Sequence, residues 1–101
     1  ELAAADRIFN ILPNDQAKMI RELWDEFEAG ETKEAKFAIT LDKTQPIMLN
    51  DATDGRAWME HGVKKEQIMA RNKKTPDGSV KIWDYFENII NKNVEKGRIK
   101  E

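Results

Sequence analysis

Glu34-Ala35-Lys36-Phe37-Ala38-Ile39-Thr40-Leu41-Asp42-Lys43 is the stretch on which the reading of this chain turns. Placed on a wheel at about 100° per residue, Phe37, Leu41, Met48, Gln45, Ala38, Leu49, Asp42 and Ala35 follow one another within an arc of about 160°. The segment therefore reads as a helix with one apolar face, and Asp42 lies inside that face, between Leu49 and Ala35. A carboxylate turned towards a core needs a hydrogen bond, a basic partner or a metal ion. Two readings stay open on the residues alone: a buried salt bridge to an Arg or Lys, and a metal ligand. Ala35 and Ala38 on the preceding turn leave room for a ligand or for another backbone. Pro46 has no N–H to give the carbonyl of Asp42, so the helix kinks or restarts there, or ends at Gln45.

Working outward, the chain reads as helical throughout. Leu2, Ala5, Ile8, Phe9 and Leu12 recur at three and four, the spacing of one helix face. Pro13 ends that helix, and Asn14 or Asp15 is the expected cap of the next. Its stripe is Met19, Ile20, Leu23, Trp24 and Phe27, and Gly30 stops it. Thr32 is the expected N-cap of the helix that carries Asp42. The turn-forming cluster Asn50-Asp51-Ala52-Thr53-Asp54-Gly55 follows. A short helix through Trp58 is expected to end at His61-Gly62, and another spans about Lys64 to Arg71. A polar loop, residues 72–78, leads to Ser79 as the cap of a last helix that Gly97 ends. No alternating strand pattern persists. The expectation is an all-α chain of about five to six helices, a single unit over residues 1–101.

Composition narrows the function classes. Of 101 residues, 36% are charged and 40% hydrophobic, with a net charge of −2. That balance offers no general attraction for a nucleic acid polymer or an anionic membrane. No apolar run is long enough for a membrane span. The absence of cysteine excludes disulfides, thiolate metal sites and a cysteine nucleophile, and fits a reducing compartment; the expected location is the cytoplasm. The single histidine, His61, excludes a multi-histidine zinc site built from this chain alone.

The remaining motifs have structural explanations. With Gly55 as the sixth residue of a calcium loop, the third and twelfth would be Ala52 and His61, where oxygen ligands are required. His61 reads as a residue near a helix C-terminus, where a partial positive charge is favourable. Lys64, Lys65, Arg71, Lys73 and Lys74 form a basic run without interleaved aromatics, as a solvated face does. Trp24, Trp58 and Trp83 sit on apolar stripes, where core packing accounts for them.

Several stretches together resemble the HD-domain metal-dependent phosphohydrolases, in the branch that includes 5′-deoxynucleotidase-like proteins. They are Leu12-Pro13, Leu23-Trp24-Asp25-Glu26-Phe27-Glu28-Ala29, Glu31-Thr32-Lys33-Glu34-Ala35-Lys36-Phe37 and Leu41-Asp42-Lys43. Trp58 with His61-Gly62-Val63, Arg71-Asn72 and Trp83-Asp84-Tyr85 extend the likeness. The resemblance covers the C-terminal half of such a domain. It implies that Asp42 is the last metal ligand, and that the family's other ligands, a His and a His-Asp pair, lie on a missing N-terminal half. It further implies a divalent ion (Mn, Co, Zn or Mg, which one aspartate does not distinguish), a phosphomonoester substrate such as a nucleoside 5′-monophosphate, and a homo-oligomer. Lys36 is a candidate substrate contact if the substrate lies along the helix. The fragment alone is expected to be inactive. The alternative is a non-catalytic helical interaction or scaffold module on the same fold.

Overall fold

A computed structural model describes all residues, 1–101, as six α-helices and one short 3₁₀ turn. The helices are α1 (Leu2–Phe9), α2 (Asn14–Ala29), α3 (Lys33–Ala52), α4 (Arg56–His61), α5 (Lys65–Arg71) and α6 (Val80–Glu95). The 3₁₀ turn is Thr75–Asp77. No strand is present; the sole bridge pairs Lys64 with Lys100.

Local sequence sets most of these boundaries. The Thr32 hydroxyl accepts from Ala35 N at 3.1 Å, and the Ser79 hydroxyl accepts from Ile82 N at 3.1 Å, so both expected caps form. The expected cap of α2 differs. Pro13, with an extended ψ of 148°, occupies that position, and Asn14 and Asp15 lie within the first turn. Proline is already fixed near the φ of this junction, and the N–H groups of the exposed first turn are left to water. The first helix stops at Phe9, three residues short of Leu12. Pro46 does not end α3, which runs on through it to Ala52.

The core is built around α6. Trp83, Phe86 and Ile90 pack with Ile47 of α3, Trp58 of α4, Ile68 of α5 and Ile99. The chain end is drawn in by Lys65 N donating to Lys100 O at 2.7 Å and Lys100 N to Val63 O at 3.0 Å. Asn93 is fully buried and satisfied: its amide nitrogen donates to Asp51 Oδ1 (2.9 Å) and Ile89 O (2.8 Å).

Helix α3 turns a different face to this core from the one its apolar periodicity suggests. Its buried residues are Ala35, Thr40, Thr44 and Ile47. Thr40, Thr44 and Ile47 span an arc of about 60° that adjoins the apolar arc without belonging to it. Both threonine hydroxyls are paired. Thr40 donates to Thr75 O at 2.7 Å, and Thr44 to Thr40 O at 2.9 Å. The 3₁₀ turn presses directly on this polar stripe. A β-carbon on Gly78 would stand 2.3 Å from Lys36 O and 2.1 Å from Thr40 Oγ1, so only glycine admits the approach. Phe37, Leu41, Met48 and Leu49 are left 44–63% exposed.

The α1–α2 hairpin stands away from the core. No residue of α2 is buried, and α1 buries only Ala5. Trp24 is therefore not a core residue as expected. It packs edge-on against Phe9 (centroids 6.2 Å apart) beneath the Arg21 guanidinium, 5.4 Å above its ring. Arg21 also pairs with Asp6, tying the two helices together. The result is elongated, 51 × 27 × 20 Å, with a radius of gyration of 16.8 Å. A compact domain of this length has about 13 Å.

Candidate functional site

Asp42 does not face the core. It is exposed, and it takes part in no ion pair; the three ion pairs of the chain are Arg21–Asp6, Arg21–Asp25 and Arg98–Asp54. The buried salt-bridge reading is thereby removed. So is the inward orientation expected of this acid, because α3 buries its threonine stripe instead.

What Asp42 faces is a cleft of about 890 Å³ between α3, α4 and α5. From α3 the cleft takes Asp42, Lys43, Pro46, Ile47 and Asn50. These fall on one contiguous face of about 140°. Asp42 stands at the edge of that face, where it meets the exposed apolar arc of Phe37, Leu41, Met48 and Leu49. The residue thus borders two surfaces at once: the cleft on one side and the uncovered arc on the other.

Helix α4 contributes Ala57, Trp58 and His61, and α5 contributes Gln67, Ile68 and Arg71. His61 lies in the last turn of α4, as its sequence position suggests. Its Nδ1 is 3.0 Å from the carbonyl oxygen of Ala57. A carbonyl only accepts, so Nδ1 carries the hydrogen and Nε2 is left unengaged. The cleft floor is apolar, formed by Ile47, Trp58, Val63 and Ile68.

Lys36 lies outside the cleft lining. It is seven residues before Lys43 on the same stripe of α3, about 10 Å nearer the helix N-terminus. The sequence reading singled out Asp42 but not Lys43, Asn50 or Gln67. Lys43 and Asn50 share α3 with Asp42 and Gln67 joins them from α5, a placement that periodicity along one helix does not report.

A free, exposed carboxylate at a cleft edge is a competent oxygen ligand for a divalent ion. No three His, Asp or Glu side chains of this chain come together to hold one. No helix is long and apolar enough to cross a membrane.

A family model for the HD domain matches residues 1–83. Over 48 residues the chain is 40% identical to mouse (Mus musculus) 5′-deoxynucleotidase HDDC2, an alignment covering 48% of this chain and 24% of the mouse protein. The crystal structure of a predicted metal-dependent phosphohydrolase from Magnetospirillum magnetotacticum MS-1 superimposes with a TM-score of 0.87 at 35% identity. That match covers 98% of this chain and 52% of the bacterial one, so the chain spans about half the length of this solved relative. With more than half of its residues under the family model and the same helical arrangement as a solved relative, this chain belongs to the HD domain family.

Proposed function

We propose that this chain is the C-terminal part of a single HD domain, one wall of a metal-dependent phosphohydrolase site in which Asp42 is a metal ligand. The observation that carries the reading is the position of Asp42: unpaired, exposed, and at the border between a cleft and an uncovered apolar arc. The likeness to a metal-dependent phosphohydrolase and to a 5′-deoxynucleotidase supports it and suggests the substrate class, a nucleoside 5′-monophosphate.

A bound divalent ion would polarise a phosphoryl oxygen and lower the pKa of a coordinated water. Asp42 contributes one anionic oxygen towards holding it. The remaining ligands come from outside this chain, since none converge on Asp42 within it. The expected donor is the part of the domain that corresponds to the other half of the bacterial relative. Packed on Phe37, Leu41, Met48 and Leu49, that part would bring its ligands to the side of Asp42 away from the cleft. In the overall reaction water adds to phosphorus and the P–O bond to the alcohol breaks. The alcohol leaves with a proton, and inorganic phosphate remains. Lys36 is a secondary candidate, able to meet a phosphate only if the substrate extends along α3. The whole protein is expected to form a homo-oligomer in the cytoplasm.

The test is phosphate release from nucleoside 5′-monophosphates by the whole protein, with Mn²⁺ or Co²⁺ added. Wild type should be active and lose activity to chelator. Asp42→Asn should be inactive while retaining its helicity. A fully active Asp42→Asn protein contradicts the reading. A whole protein without activity on any phosphomonoester favours the scaffold alternative.

A further inference from the structure

The cleft beside Asp42 has an apolar floor and unengaged polar groups at its rim. The Asn50 side-chain amide makes no hydrogen bond within the chain, whereas its backbone oxygen is taken by Gly55 N. Gln67 spends its Oε1 on Lys64 N, at 2.9 Å, which leaves its amide nitrogen free. His61 has Nε2 free because Nδ1 is committed to Ala57 O. These three groups come from three different helices and line one cavity with Trp58, Ile47 and Ile68. A flat, largely apolar ligand with hydrogen-bonding atoms along its edge satisfies such a pocket. Asn50 is half-buried and His61 and Gln67 are exposed at the mouth, so an alkyl chain would offer these groups no partner in place of water, and a bare anion would make no use of the apolar floor.

We propose that this cleft receives the leaving-group portion of the phosphomonoester, a nitrogen heteroaromatic ring of the nucleobase class. The ring lies over the Trp58–Ile47–Ile68 floor with its edge towards Asn50, His61 and Gln67. This rests on the reading of Asp42 as the reaction centre. It adds the direction in which the substrate extends, away from the apolar arc and between α3, α4 and α5. The cavity, about 890 Å³, is within the range of small-molecule sites. Amide and imidazole groups opposite an apolar face are the means by which proteins hold an unstacked base. Lys43 and Arg71 at the rim add positive charge beside an anionic substrate.

Two measurements on the full-length protein separate this inference from the hydrolase reading. The first titrates thymidine, which has no phosphate, and follows the Trp58 indole N–H resonance. A saturable shift is expected. It should weaken several-fold in Asn50→Ala, whose side chain supports no other contact, and vanish in Ala57→Phe, which fills the cleft mouth from an exposed position. The second compares kcat/KM for thymidine 5′-monophosphate with that for methyl phosphate. Wild type should prefer the nucleotide, and Ala57→Phe should lower the ratio at least tenfold. An unchanged ratio, or no movement of the Trp58 resonance with thymidine, overturns the proposal. If no phosphomonoester is hydrolysed but thymidine still shifts Trp58, the hydrolase reading fails and the cleft assignment stands.

Discussion

At the scale of the residue, Asp42 and Thr40 make opposite contributions. Asp42 is exposed and unpaired, so it contributes nothing the fold needs, and Asp42→Asn should alter stability by less than about 0.5 kcal/mol. Yet groups that merely orient a metal's ligands are worth about 10- to 100-fold in affinity or activity, so losing a direct ligand should cost the whole protein more than about 100-fold. Chemical denaturation and a phosphatase assay on the same variant check both halves. Thr40 is fully buried, and its hydroxyl bridges α3 to Thr75 O at 2.7 Å. Thr40→Val keeps the shape and removes that bond, leaving Thr75 O only the 3.2 Å bond from Gly78 N, at a cost of about 1 kcal/mol. Gly78→Ala should cost at least as much, because its β-carbon meets the Lys36 carbonyl at 2.3 Å and backbone cannot swing aside as a side chain would. Urea midpoints of the two variants measure this, and wild-type stability in either would contradict the packing described.

At the scale of the element, the signals confined to a few neighbouring residues were legible and those set by distant partners were not. Thr32 and Ser79 read as caps because the capping hydroxyl and the amide it serves lie three residues apart. Thr32→Ala should accordingly cost about 1 kcal/mol, read as a lowered urea midpoint. The all-α class and the six helices followed from spacing and stop signals of the same local kind. The buried face of α3 did not. Its apolar arc gives the stronger periodic signal, but the 3₁₀ turn and α6 pack on α3 at the threonine stripe, and α2, which also touches α3, leaves the arc largely uncovered. Both hydroxyls there are satisfied by carbonyls, so polarity is no bar to burial. Asp42 was legible as an unusual acid, although the sequence placed it facing inward. The cleft was not legible at all, since Asn50, His61 and Gln67 belong to three helices whose mutual placement depends on the core around α6.

At the scale of the whole molecule, the elongated shape and the exposed arc point the same way. Phe37, Leu41, Met48 and Leu49 hold apolar surface on the element that carries Asp42, and α1–α2 adds Leu2, Ile8, Met19 and Leu23, all more than half exposed. Covering a residue of this kind contributes on the order of 1 kcal/mol. If the rest of the domain covers the arc, Leu41→Glu with Met48→Glu should lower the Tm of the full-length protein. The same pair should leave the helicity of the isolated chain intact and reduce its self-association in sedimentation. A full-length protein indifferent to both charges would mean that the arc is open in the assembled molecule.

The central claim is that Asp42 is one ligand of a coordination sphere completed from outside this chain. Calorimetric titration of Mn²⁺ into three proteins tests it: the full-length protein, its Asp42→Asn variant, and the isolated 101-residue chain. The account predicts tight binding by the first and at least 100-fold weaker binding by the other two. Equal affinity in the Asp42→Asn variant, or tight binding by the isolated chain, would contradict it.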